Sequence, residues 1–193
     1  GLLELGEAYP ALKALEDAFA ETGVEGPAAT PVARDIVLGR IHQALGNAEA
    51  ASKAFTAAFR GARAMTGPAR FGLIAQSLLD KGVLLGSSNA PDKALQTFGY
   101  AEEAAEVCAE AESRVLLGAS AAFNTGMTLV RAGRGETAVP AFDRALDAAD
   151  SASFAGRRIA VKALLGRAGV LRGARNYSDA FEACDAAIAA AEE

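Results

Sequence analysis

The chain has 193 residues, a formal net charge of -5 and 51% apolar residues, with 6% aromatic residues and no Trp. That length holds one compact domain or one array of repeats, and the Ala-rich composition with few β-branched residues argues for helices over sheet. The acidic balance exerts no pull on nucleic acid or an anionic membrane, charges break every apolar run before the ~20 residues a span needs, and no basic-then-apolar leader opens the chain. Punctuation then predicts nine helices, the first over 7–22 with Pro10 in its opening turn. A loop carrying Gly23, Gly26 and Pro27 leads to 32–45, where Thr30-Pro31 reads as a cap followed by proline at the first helical position. Leu45-Gly46-Asn47 turns the chain into 48–65, and Gly67-Pro68 separates that helix from 69–86. Ser88-Asn89-Ala90-Pro91 precedes 91–109; the next helix, 112–132, stops at Gly133-Arg134-Gly135. The following helix, 136–150, holds Pro140 in its first turn. Ser151 and Ser153 are candidate caps for 154–172, and Gly173-Ala174-Arg175-Asn176 leads into 177–192.

One signature recurs through these elements: a small residue, Ala twelve later, a bulky residue four beyond, and Ala three further on. Gly39, Ala51, Phe55 and Ala58 form one copy; Gly82, Ala94, Phe98 and Ala101 the next; Gly126, Ala138, Phe142 and Ala145 the third. Ala168, Ala180, Cys184 and Ala187 close the series, and Ala11, Leu15 and Ala18 lead it as an incomplete copy. The central alanines 11, 51, 94, 138 and 180 are separated by 40, 43, 44 and 42 residues, a period that means stacked supersecondary units. Helices approach closely where one presents a small residue and the other a knob. The glycines and Ala168 therefore admit the second helix of each pair, with the central alanines facing them and the phenylalanines filling the space between pairs. A glycine inside a helix costs about 0.5–1 kcal/mol relative to Ala, which the close contact must offset.

Leu38-Gly39-x2-His42 with Ala51-x3-Phe55, Gly82-x2-Leu85 with Ala94-x3-Phe98, and Gly126-x2-Leu129 with Ala138-x3-Phe142 resemble the tetratricopeptide repeat, in a long form of about 40–44 residues. The chain departs from that pattern in three ways. The opening aromatic is absent, Cys184 replaces the last Phe, and the period exceeds the usual ~34 residues. The resemblance implies an all-α, right-handed α-solenoid of stacked antiparallel helix hairpins. It would be a single repeat domain over 1–193, divided into a partial repeat 1–26 and repeats at 30–66, 68–110, 112–151 and 153–193. Because the sequence opens at Gly1 inside a helical pattern, it is expected to be a piece of a larger protein.

The resemblance also implies that first helices line a concave groove. These hold most of the bases: Arg34, Arg40, Arg70, Lys81, Arg114, Arg131, Arg157, Arg158, Lys162, Arg167 and Arg172. Acids such as Asp92, Glu102, Asp143 and Asp185 concentrate on second helices. A relatively basic groove suits an acidic peptide or protein partner, since Arg binds carboxylates through paired hydrogen bonds. The groove positions are Arg40, Gln43, Gln76, Asp80, Phe123, Asn124, Met127, Arg131, Lys162, Leu165 and Arg172, with apolar contacts expected from Phe123, Met127 and Leu165. Gly166, Gly169 and Gly173 would leave the groove shallow near the last pair, where a bulky partner side chain fits. Asn124 and Lys162 match two places of the family's clamp for a C-terminal carboxylate. Leu79, Val83 and Gly166 stand at the others and cannot donate side-chain hydrogen bonds, so a chaperone-tail receptor is not expected.

Catalysis finds little support in the residues. His42, the one histidine, takes the large inward position of a first helix, and a general base would need positioned partners. Cys184 takes a packing position, Arg131-Ala-Gly-Arg-Gly-Glu136 joins helices and follows no strand, and the acids Glu102, Glu103, Glu106, Glu110 and Glu112 read as a solvated face. Two cysteines make no disulfide framework and no close Cys/His spacing suggests zinc, so a cytoplasmic protein without metal or cofactor is expected. The expected function is a non-enzymatic interaction scaffold. The alternative is a sensor or regulatory module of a larger signalling protein such as a transcription regulator or ATPase, as in long-repeat relatives of the family. Self-association through the final helix, at Ala180, Ala183, Ala187 and Ile188, is a further expectation.

Overall fold

The computed structural model describes residues 29–149 and 153–192, and among them eight α-helices and no strand. They are α1 (Ala29–Ala44), α2 (Ala48–Ala64), α3 (Ala69–Ser87), α4 (Pro91–Glu106), α5 (Ala111–Arg131), α6 (Gly135–Ala148), α7 (Phe154–Gly173) and α8 (Tyr177–Glu192). The expected helix over 7–22, with Pro10, Ala11, Leu15 and Ala18, and the candidate cap Ser151 lie outside the described residues.

Each odd-numbered helix packs along the even-numbered helix that follows it, and each even-numbered helix packs on the next hairpin. Successive odd-numbered helices also pack together, whereas among the described residues the backbones of the even-numbered helices stand apart and long side chains such as Arg144 bridge them. The stack is therefore tight along α1, α3, α5 and α7 and splayed along α2, α4, α6 and α8. It curves toward the odd-numbered helices, which form the inner layer of an all-α, tetratricopeptide-like solenoid.

The repeat signature marks the tightest packing. Phe55, Phe98 and Phe142 are the largest fully buried apolar side chains. A Cβ on Gly39 would clash with the Cε1–Cδ1 edge of the Phe55 ring, one on Gly82 would lie 2.5 Å from Phe98 Cε1, and one on Gly126 2.7 Å from Phe142 Cε1. The atoms that meet the glycines are thus ring carbons rather than the central alanines, although Ala51, Ala94 and Ala138 are fully buried beside them. A Cβ on Gly166 would also lie 2.7 Å from Phe142 Cε1 and Cζ, so the same ring packs the third hairpin against the fourth.

All four hairpin turns place a residue seven positions after the small residue in the left-handed region: Gly46 (φ 76°), Asn89 (φ 55°), Gly133 (φ 73°) and Arg175 (φ 61°). The following amide returns to the helix in each, from Asn47 to the His42 carbonyl at 2.8 Å and from Asn176 to the Leu171 carbonyl at 2.9 Å. Three local expectations change. Thr30, expected as a cap, is itself helical in α1. Pro140 stands in the second turn of α6, because that helix starts at Gly135, and there it leaves the Glu136 carbonyl without its helical donor. Helix α4 stops at Glu106, short of 109, because the chain turns to bury Cys108, whose carbonyl accepts Arg114 Nη2 at 2.8 Å and Nε at 3.0 Å. Ser153 caps α7 as expected, its Oγ accepting the Gly156 amide at 2.9 Å.

Candidate partner-binding groove

On each inner helix the residues six and two before the small residue, and one and five after it, follow a four-three-four spacing and share one stripe. On α1 these are Ala33, Val37, Arg40 and Ala44; on α3, Gln76, Asp80, Val83 and Ser87. On α5 they are Ser120, Asn124, Met127 and Arg131; on α7, Lys162, Gly166, Gly169 and Gly173. The stripe collects seven of the sequence-derived groove residues. Gln43, Phe123, Leu165 and Arg172 lie off it.

The first half of the groove is neutralised from within. Arg40 Nη2 lies 2.9 Å from Asp80 Oδ2, and Gln76 Nε2 donates to the same oxygen at 3.2 Å. Burial holds the Asp80 carboxyl above the usual Asp range, and the attraction of Arg40 with the Arg40 and Gln76 hydrogen bonds only partly offsets this. Elsewhere Lys81 donates to Thr56 at 3.2 Å, Arg114 holds the Cys108 carbonyl, Arg70 lies 4.6 Å over the Phe71 ring and Arg167 sits 3.3 Å from Asp143. The free positive charge of the relatively basic groove expected from the sequence is therefore confined to one part of it. Among the described residues, Arg131, Lys162 and Arg172 are exposed and make no ion pair or side-chain hydrogen bond, and all three belong to α5 and α7.

The same half contains a cleft of about 570 Å³, lined by Met127 and Val130 of α5 and by Leu165, Gly166, Gly169, Val170 and Arg172 of α7, with Gly173 and Glu136 at its edge. Gly169 and Gly173 have no neighbour within 4 Å of an added Cβ, so the missing side chains are what opens it. Phe123 does not offer its ring to this space as expected. It is half-buried against Phe142, with centroids 6.1 Å apart and planes at 48°. Asn124 Nδ2 donates to the Ser120 carbonyl at 2.8 Å, so its amide is partly committed to its own helix. Val130 and Val170, missed by sequence reasoning, stand four and two residues after small residues, and that spacing was the available signal.

Two further features complete the surface. On the outer side Phe59, Phe71, Ile74, Tyr100 and Val107 line a notch of about 430 Å³ between α2, α3 and α4. His42 is half-buried on α1 with its Nδ1 lacking a hydrogen-bond partner among the described residues. No three His, Cys, Asp or Glu among the described residues are grouped to hold a metal ion, and no described helix is long and apolar enough to cross a membrane. Glu102 of the expected solvated face is instead half-buried and 3.6 Å from Arg144, which links α4 to α6.

The arrangement defines a class, the helical-repeat solenoid with a lined inner face. No protein-family model matches the sequence, and no curated protein matches it. Among solved structures the chain is similar to BtubC (BKLC) from P. vanneervenii, with a TM-score of 0.76 at 13% identity over 97% of this chain and 74% of that one. It is also similar to MamA, with a TM-score of 0.60 at 13% identity over 97% of this chain and 90% of that one. At that identity the likeness is one of fold.

Proposed function

We propose that the chain is a protein-interaction scaffold whose inner face binds a polypeptide segment at α5 and α7. An apolar side chain of the partner enters the glycine-floored cleft, and acidic residues beside it pair with Arg131 and Lys162. The cleft carries this reading. It combines an apolar lining with two exposed cations on the adjoining stripe that are not used internally. The proposed activity is binding rather than catalysis, since the one histidine lies on α1, outside the cleft. Selection from a displayed peptide library tests it. Enriched peptides should carry an aliphatic or aromatic residue flanked by Asp or Glu. Their affinity should drop at least tenfold with Val130→Arg or with Arg131→Glu plus Lys162→Glu, and weaken as salt rises. Peptides without acids, or binding unchanged by those substitutions, would contradict the proposal.

A further inference from the structure

Two surfaces are expected from the sequence to bind. On the final helix, Ala180, Ala183 and Ala187 are buried where α8 meets α7 rather than offered to a second copy. The groove keeps its residues open, and Phe142 fixes how its two inner helices align. A Cβ on Gly126 of α5 and a Cβ on Gly166 of α7 would each lie 2.7 Å from Phe142 Cε1, so the two glycines stand opposite one another across a single ring atom. The Arg40–Asp80 pair shows the same alignment between α1 and α3, since Asp80 precedes Gly82 by two residues, as Gly166 precedes Ala168. Both α5 and α7 open a hairpin, so they run in the same direction. Arg131 stands five residues after Gly126, and Lys162 four residues before Gly166. At 1.5 Å per residue these two cations are about 13 Å apart along the helices. Packed helix axes lie 8–10 Å apart, which puts the cations about 16 Å apart on a diagonal across the groove.

The cleft is not at the middle of that diagonal. Met127, Val130, Gly166, Gly169 and Val170, which line it between the two helices, all stand between the level of Gly126 and the level of Arg131. A side chain seated there is about 6 Å from Arg131 and about 12 Å from Lys162. An extended chain advances ~3.3 Å per residue and turns every second side chain to the same face. Two residues therefore reach Arg131 and four reach Lys162, and both even spacings leave the apolar residue and its acids facing the protein. Glu136 at the edge of the cleft repels an acid from the apolar position itself. The stripe suits an extended segment better than a helix. A helix would need further apolar contacts one and two turns from its anchor, where α5 and α7 present Ser120, Asn124 and Lys162.

We infer that the bound segment is extended and crosses the groove diagonally, with its apolar residue flanked unequally by two acids. One acid lies two residues to one side and pairs with Arg131; the other lies four residues to the opposite side and pairs with Lys162. This spacing rule rests on the proposal that the cleft takes an apolar side chain of the partner. Fluorescence anisotropy tests it with labelled peptides that carry one Leu in a Ser and Gly background and two Glu moved independently on either side, in both chain orders. The tightest peptide should have its Glu residues two and four positions from Leu. Arg131→Glu should weaken that peptide about threefold or more, and the loss should vanish when the near Glu is replaced by Ser and reverse when it is replaced by Lys. Lys162→Glu should do the same with the far Glu alone. Val130→Arg should weaken every peptide; if it weakens none, the cleft reading fails and the spacing rule with it. If Val130→Arg does weaken them, three results would overturn the spacing rule alone: a tightest peptide with its acids equally distant from Leu, acids about eleven residues apart as on a helix, or a near acid that couples to Lys162 or Arg172 instead of Arg131.

Discussion

A phenyl ring on a bare helix backbone is the smallest unit of this architecture. With Phe98 Cε1 2.5 Å from the place of a Cβ on Gly82, Gly82→Ala must displace a buried ring, and overpacking of this kind costs about 1–3 kcal/mol against a helix-propensity gain of about 1. Gly118 on α5 has nothing within 4 Å, so Gly118→Ala should instead stabilise by up to about 1 kcal/mol. Urea unfolding of the two variants checks the opposite signs. These sites could be read from sequence because a small residue and its knob recur at fixed spacing. The Arg40–Asp80 pair could not, since it depends on how two hairpins align. Burial raises the Asp80 pKa in the fold, so its ionised form is a cost that appears as pH rises above the unfolded value of 3.8 and is relieved as pH falls back through the window. Asp80→Asn should therefore be at least as stable as the parent at pH 7, with Arg40 half-exposed and resolvated, and any advantage should shrink toward pH 3.8. Thermal unfolding across that range measures it.

At the scale of the element, the helix ends were largely readable and their exceptions have local causes. Glycine or asparagine at the hairpin turns announced Gly46, Asn89 and Gly133, but Arg175 takes the same left-handed conformation with a side chain that disfavours it. Gly173, which the sequence offers as the stop, is the last residue of α7 instead. Relieving the left-handed penalty, Arg175→Gly should raise stability by about 1 kcal/mol, less the entropy glycine adds to the unfolded chain. A rise in the urea midpoint at constant slope would show it. The end of α4 was placed too late because the sequence holds no turn residue there. Burial of Cys108 and the reach of Arg114 to its carbonyl set that boundary, and both are tertiary.

Across the whole molecule, contact between neighbouring inner helices and separation of the outer ones bends the stack, and that bend makes a lined groove out of residues far apart in sequence. The layer of first helices was foreseen from the repeat resemblance, but its charge was not. Counting basic residues by helix ignores that Arg40, Lys81, Arg114 and Arg167 are bound internally, which leaves the available cations at α5 and α7. Burial of Phe123 against Phe142 likewise moves the apolar contact to Met127, Val130 and Val170. Hydrogen exchange with a selected acidic peptide bound reads the location of binding directly. Slowed exchange confined to 120–131 and 162–173 is the predicted result. Protection confined to α2, α3 and α4 around Phe59 and Tyr100 would place the partner on the outer notch and contradict the account.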